Sequence, residues 1–252
     1  MKQLNGWWVT DTEFDNGIAH WGPDEWQNHM SEFTTKYFVP DEKRRRVCLD
    51  IGANIGQSAL GLTKYFNKVH SFEPCIDFFE CLNRNIEQAS IDNVITHNVG
   101  LSDYSGELFF KEKTQRCGTS RMFTTEEVKA NHHLKNTDDF ILQRVNVRTL
   151  DSYEFKYVDL IKIDVEGWEP YVLKGGIKTI NDWKPTIVAE WHRTKDKAAL
   201  DNILLPWGYV KLYQRRSDWY YVHKDKVLSV VTNLIKDHPV ASHTAFWRLL
   251  GI

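Results

Sequence analysis

The sequence predicts an α/β fold built on a mostly parallel sheet, and three observations carry that prediction. Short apolar runs alternate with helix-patterned segments between residues 47 and 99, and again between 158 and 205. A glycine-punctuated turn, Gly52-Ala53-Asn54-Ile55-Gly56, joins the first apolar run directly to the first helical segment. Acids close several of the apolar runs: Asp50, Glu73, Asp164 and Glu190.

Length and charge narrow the class. A chain of 252 residues suits one domain with decorations. Its 32 Lys and Arg against 34 Asp and Glu give a net charge of -2, so no global attraction for nucleic acid or an anionic membrane is expected. Residues 1–7 lack the charged-then-apolar pattern of a signal peptide, and no run approaches membrane-spanning length, which predicts a cytoplasmic protein. Cys48, Cys75, Cys81 and Cys117 form no Cys-x-x-Cys pair and read as free thiols. Aromatic residues make up 13%, which suits an aromatic core, an aromatic-lined pocket, or both.

Residues 1–45 are expected to form an N-terminal helical decoration, and 46–252 the main domain. Pro23-Asp24-Glu25-Trp26 suits a helix start, with Met30, Phe33 and Tyr37 following at helical spacing. Lys43-Arg44-Arg45-Arg46 is a solvated edge or a contact for an anionic substrate. Residues 47–51 then read as a strand, 58–66 as a helix, and 69–73 as a strand stopped by Pro74. Residues 76–89 place Phe78, Phe79, Leu82 and Ile86 on one helical face, and 94–99 form a third strand. The alternation pauses after 100. Leu108-Phe109-Phe110 suits a strand, and the polar stretch that follows makes 111–144 a candidate lid or substrate loop. Strands return at 145–150, 158–164 and 185–190, with a helix from 169 that Gly175-Gly176 interrupts. A helix over 196–205 stops at Pro206, and 209–213 with 219–222 suit an antiparallel pair. Residues 226–252 carry no clear assignment.

The chemistry starts at the glycine turn. Such a turn lets the backbone approach a ligand at the carboxyl edge of a sheet. Glu73, ending the next strand, is placed to accept from both hydroxyls of a ribose. A nicotinamide fingerprint needs Gly-x-Gly-x-x-Gly, and this loop departs from it. Asp50 at the strand end would repel a pyrophosphate but suit a sulfonium or an ammonium. The charge pattern therefore favours S-adenosylmethionine over NAD. The bland alternative is a tight turn with acids nearby by chance.

Asp164 and Glu166 flank Val165, and Glu190 and His192 follow the next strand, so all four converge on one crevice. Three readings stand. An acid or His192 serves as general base for a hydroxyl. Asp164, Glu190 and His192 hold a hard divalent cation, which is the less favoured option. Or the group caps loops and helices, as Glu166 would for a helix starting near Trp168. Trp168, Trp191 and Trp207 either line an acceptor site or belong to the core.

Beyond these readings, the sequence resembles the FkbM family of S-adenosylmethionine-dependent methyltransferases. The resemblance runs from about 46 to about 192. It rests on residues 47–56, Ser71-Phe72-Glu73-Pro74, Asn98-Val99-Gly100-Leu101-Ser102-Asp103, Thr149-Leu150-Asp151, residues 158–169, and Lys184-Pro185 before the strand ending in Glu190. It implies a Rossmann-like class I methyltransferase fold: a seven-stranded, mostly parallel sheet with an antiparallel last strand and helices on both faces. It implies methyl transfer to a hydroxyl of a sugar, glycan or small metabolite. Asp50, Gly52, Asn54 and Gly56 would surround the methionine end of the cofactor, and Glu73 would hold the ribose. Ser102 and Asp103 would lie near the adenine, and Asp164 and Glu166 near the transferred methyl. Rival expectations are an NAD-linked oxidoreductase and a non-catalytic module that keeps the fold. A nucleic-acid methyltransferase is disfavoured, because 164–167 read Asp-Val-Glu-Gly rather than Asn/Asp-Pro-Pro-Tyr/Phe. The oligomeric state stays open, a homodimer being one option.

Overall fold

Asn5 and Gly6 take φ of 49° and 83°, the left-handed pair that closes a two-residue hairpin. In this computed structural model, which describes residues 1–10, 26–113, 120–130, 140–190, 198–215 and 217–237, they join β1 (Lys2–Leu4) to β2 (Trp7–Val9). The sequence signal for this hairpin was the Asn-Gly pair itself, inside a stretch with no other clear pattern. Helix α1 (Trp26–Phe38) follows, then β3 (Val47–Ile51), α2 (Gln57–Thr63), β4 (Lys68–Phe72), α3 (Ile76–Gln88), β5 (Val94–His97) and β6 (Gly100–Leu101). Next come β7 (Gly106–Lys113), β8 (Arg121–Phe123), α4 (Thr125–Ala130) and β9 (Phe140–Arg148). The chain continues through β10 (Leu160–Ile163), α5 (Glu169–Lys174), α6 (Ile177–Trp183), β11 (Thr186–Glu190) and α7 (Ala199–Leu204). It reaches β12 (Tyr209–Arg215), β13 (Asp218–His223) and α8 (Val227–Asp237).

Seven strands form the main sheet in the order β12-β13-β11-β10-β3-β4-β5. The sheet is mixed. Neighbours from β11 to β5 pair in parallel, whereas β13 runs antiparallel to both β11 and β12. Alternate side chains of each strand enter two separate cores, as the period of two requires. Leu49, Ile51, Ile161, Ile163 and Ile187 pack with Val172, Leu173, Ile180 and Leu204 from α5, α6 and α7. Cys48, Leu160 and Val188 pack instead with Phe38, Leu62 and Val230 from α1, α2 and α8. Helices therefore cover both faces. Among the described residues, no helix is long and apolar enough to cross a membrane.

The stretch 111–144 is where the structure differs most from the expected loop. Its described part continues β7 and supplies β8, α4 and the start of β9, within a second sheet ordered β6-β9-β7-β8. In β9, Val145 and Val147 are buried while Arg144 and Asn146 face solvent. A strand buried on one face carries half its residues polar, so its composition resembles a loop.

Several motif residues prove to be structural. Arg46 clamps the buried Asp159 with bonds of 2.9 and 2.7 Å and lies over Tyr157, and Arg45 Nε donates to the Val39 carbonyl at 3.0 Å. These contacts assign two members of the basic run to fold stability. Asp151 accepts from the Lys178 and Thr179 amides at 3.0 and 2.8 Å, capping α6. Cys48, Cys75 and Cys81 are buried and form no disulfide among the described residues, and Cys117 lies outside them.

Candidate active site

Parallel pairing fixes the site at the carboxyl ends of β3, β4, β10 and β11. After β3 the chain turns at once: Gly52, Asn54 and Gly56 take φ of 83°, 51° and 99°. A Cβ at Gly52 would fall 1.8 Å from the Asp164 carbonyl oxygen, and one at Gly56 would fall 2.7 Å from Leu82 Cδ1. These glycines thus let the turn lie against β10 and α3. The Gly52 and Ala53 amides both donate to the Phe72 carbonyl at 3.0 Å, which ties the turn to β4.

Glu73 sits just beyond β4 and is 4% exposed. Its Oε2 accepts from the Asn54 amide and its Oε1 from the Cys75 amide, each at 2.9 Å. Asn98 donates to the carbonyls of Glu73 and Pro74 at 2.9 and 3.2 Å, so this motif residue positions the turn that carries Glu73. Burial pushes the Glu73 carboxyl up to about 7 against the pull of the two amides.

Asp50 is fully buried. Lys162, beside it in the parallel register of β10 and β3, places its Nζ 3.4 Å from Asp50 Oδ1 and 3.4 Å from Asp164 Oδ2. The cation at Asp50 is therefore Lys162, a residue whose role the sequence pattern did not single out. Burial alone would lower the Lys162 ammonium, but Asp50, Asp164, Glu190 and Asp218 outweigh it and hold the group charged. Burial raises the Asp50 carboxyl, with Lys162 opposing. Asp164 is also raised, by burial first and by the neighbouring Glu190 carboxyl, while Lys162 pulls the other way.

The turn after β10 uses two left-handed residues, Glu166 at 53° and Gly167 at 100°. The acid that caps this turn is Glu169, whose Oε1 accepts from the Val165 and Gly167 amides at 3.3 and 3.2 Å. Glu166 lines the cavity. Trp168 is buried, stacks on Tyr171 and donates from Nε1 to Ser102 Oγ at 3.3 Å; Ser102 in turn bonds Asp103 at 3.2 Å. Trp168 is thus a core residue, and Trp207 packs against the same core.

A cavity of about 240 Å³ opens between these strand ends and the second sheet. It brings together Gly52, Asn54, Glu73, Asp164, Glu166 and Glu190. Asp50, Gly56, Ser102 and Asp103 stand outside its lining, and His192 and Trp191 lie outside the described residues. The second sheet adds Ser120, which is 8% exposed and whose hydroxyl has no hydrogen-bond partner among the described residues. The only sequence signal for Ser120 was its place in a polar stretch within a compact domain. Among the described residues, no group of three or more His, Cys, Asp or Glu is arranged to hold a metal ion.

The mixed α/β sheet and the acid-lined cleft at its strand ends match the methyltransferase class, and comparison names the family. Residues 50–211 match the methyltransferase FkbM domain, and the chain belongs to that family. Methyltransferase 1 of Beauveria bassiana is 27% identical over 185 residues, covering 68% of this chain and 74% of that protein. Hexuronic acid methyltransferase AglP of Haloferax volcanii is 27% identical over 161 residues, covering 63% of this chain and 61% of the relative. The crystal structure of methyltransferase FkbM from Methylobacillus flagellatus superposes with a TM-score of 0.51 at 20% identity, across 71% of this chain. This chain spans 44% of that protein, and the likeness concerns the fold.

Proposed function

We propose that the chain is an S-adenosylmethionine-dependent O-methyltransferase of the class I arrangement, acting on a hydroxyl of a sugar, glycan or small metabolite. The observation that carries this reading is Glu73. It is a buried carboxylate fixed by two backbone amides at the rim of the cavity of about 240 Å³. Each of its oxygens has a second lone pair for a ribose hydroxyl. The Ser120 hydroxyl, without a hydrogen-bond partner among the described residues, lines the same space and suits a further polar group of the ligand. Asp164, Glu166 and Glu190 supply negative charge where a sulfonium would lie. The donor set therefore fits the cofactor.

S-adenosylmethionine supplies an electrophilic methyl group. The protein's part is to align an acceptor oxygen with it and to take the oxygen's proton. Asp164 with Glu190 is the pair for that proton, because burial and mutual repulsion raise the Asp164 carboxyl toward neutrality. His192 remains the alternative base. The proposed setting is cytoplasmic, in keeping with buried cysteines that form no disulfide among the described residues. The acceptor is a small molecule or carbohydrate, with neither nucleic acid nor membrane as partner.

Calorimetry with S-adenosylhomocysteine, S-adenosylmethionine and NAD tests the cofactor. Micromolar binding of the first two is expected, and tight NAD binding without S-adenosylhomocysteine binding would sink the reading. Activity should survive thorough EDTA treatment. Loss that magnesium restores would assign Asp164 and Glu190 to a metal instead.

A further inference from the structure

A separate cavity, of about 260 Å³, lies at the amino ends of β3, β10 and β11, the opposite edge of the sheet from the acid-lined cleft. Its lining includes Arg44 ahead of β3, Asp159 just before β10, Thr186 at the start of β11, and Lys226 and Ser229 at the start of α8. The two cavities share no lining residue. We infer that this cavity is an anion site and that it holds a phosphate group. Asp159 and Asp164 bracket β10, five positions or about 16 Å apart at the rise of a strand. The occupant is therefore neither the cofactor nor the methyl acceptor, and the inference stands whether or not the cofactor assignment does.

Charge is the first reason. Three acids line the cavity, and two of them are answered by cations outside the lining. Arg46 holds Asp159 through bonds of 2.9 and 2.7 Å, and Lys184 Nζ lies 2.5 Å from Asp225 Oδ2. Asp41, the third, is exposed and accepts from the Lys43 amide at 3.0 Å. Arg44 and Lys226 are the cations of the lining, and among the described residues no acid pairs with either. Lys226 Nζ donates to the Lys184 carbonyl, a neutral partner. The surroundings keep the same sign: residues 41–46 and 224–226, with Asp159 and Lys184, carry seven Lys and Arg against four Asp and Glu. Burial and the Arg44 charge lower the Lys226 ammonium to about 8; Asp159 opposes them, and Arg46 and Lys184 add to the lowering. Cations are crowded here beyond what the local acids offset, and an entering anion relieves that repulsion.

Shape is the second reason. Arg44, Lys226 and the Ser229 hydroxyl reach the space from three different turns of the chain. A phosphate presents acceptor oxygens in several directions, whereas a carboxylate presents two in one plane. The volume falls below the roughly 300 Å³ at which drug-sized pockets begin, so it suits a phosphate with a small group attached. The basic run before β3 thus divides its work: Arg45 and Arg46 hold the fold, and Arg44 faces the anion.

Calorimetry on the full chain with inorganic phosphate, at an ionic strength held constant with chloride, tests the site. Saturable binding with a dissociation constant of about 1 mM or tighter is expected. Acetate should bind at least about fivefold more weakly. Arg44 is exposed, so Arg44→Gln should keep the melting temperature and weaken phosphate binding about tenfold. Lys226→Gln should weaken it by a similar factor, and both variants should keep S-adenosylhomocysteine affinity within about twofold of the parent. Lys129→Gln removes an exposed cation from α4 and should leave phosphate binding unchanged. Ribose 5-phosphate binding more tightly than inorganic phosphate would identify a phosphorylated small molecule as the occupant, and equal or weaker binding would identify free phosphate. No saturation by about 20 mM phosphate overturns the inference. So does acetate binding as tightly as phosphate, or an Arg44→Gln variant that binds no more weakly than Lys129→Gln.

Discussion

Lys162 and Asp50 face each other across neighbouring parallel strands, with Nζ 3.4 Å from Oδ1 and Asp50 fully buried. Lys162→Met should destabilise the protein by about 3–5 kcal/mol, because it strands a buried carboxylate. Adding Asp50→Asn removes that stranded charge, so the double variant should be more stable than Lys162→Met alone. Urea unfolding of the four proteins measures the coupling. Strictly additive losses would mean that the two groups do not interact.

Glu73 makes stability and cofactor binding depend on pH in opposite directions. Its carboxyl titrates near 4.5 when unfolded and about 7 when folded. The folded protein therefore binds the extra proton between those values. Its contribution is fully present below about 4.5 and is lost as pH rises to about 7, on the order of 3 kcal/mol. Glu169, also raised to about 7 by burial, adds to the same trend. A ribose diol needs the ionised Glu73, so S-adenosylhomocysteine should bind roughly tenfold more tightly at pH 8 than at pH 6. Glu73→Gln should weaken binding and flatten its pH dependence. A pH dependence unchanged in Glu73→Gln would assign the titration to another group.

Much of this was legible in the sequence, and the exceptions share a physical cause. Strands of the main sheet are apolar on both faces and announce themselves, as residues 47–51 and 160–163 do. The glycine turn, Glu73 and Asp164 follow from their register at strand ends. What escaped notice were residues whose meaning depends on distant partners. Asn85, inside α3, bonds the Trp8 amide and carbonyl and the Ile55 carbonyl at 2.7, 3.0 and 2.8 Å. It joins the N-terminal hairpin to the glycine turn, yet nothing in its local pattern distinguishes it from a surface polar residue. Lys162 interrupts an apolar strand, but only the packing of β3 against β10 gives it Asp50. Ser120 gains its place from the second sheet, whose one-sided strands look polar.

The two left-handed glycines flanking the cavity should respond differently to alanine. Gly167, at φ 100°, has nothing within 4 Å of an added Cβ. Gly167→Ala should cost only the backbone strain, about 1–2 kcal/mol. Gly52→Ala carries similar strain and also drives a Cβ into the Asp164 carbonyl. Its cost should reach about 3 kcal/mol or more, with S-adenosylhomocysteine binding lost as the end of β10 moves. Thermal unfolding and calorimetry compare the pair. Equal costs would show that the turn has room the 1.8 Å approach denies.

Ser120→Ala separates a ligand contact from a structural one. A buried hydroxyl costs desolvation free energy when it has no partner, and Ser120 has none among the described residues, so its removal should leave the ligand-free protein unchanged or more stable by up to about 1 kcal/mol. Were the hydroxyl satisfied by the bound cofactor, the same change should weaken S-adenosylhomocysteine binding by about 1 kcal/mol, a fivefold loss. The opposite signs are diagnostic, because loss of an ordinary structural hydrogen bond lowers stability first. A drop in melting temperature with unchanged binding would make Ser120 part of the second sheet's own packing.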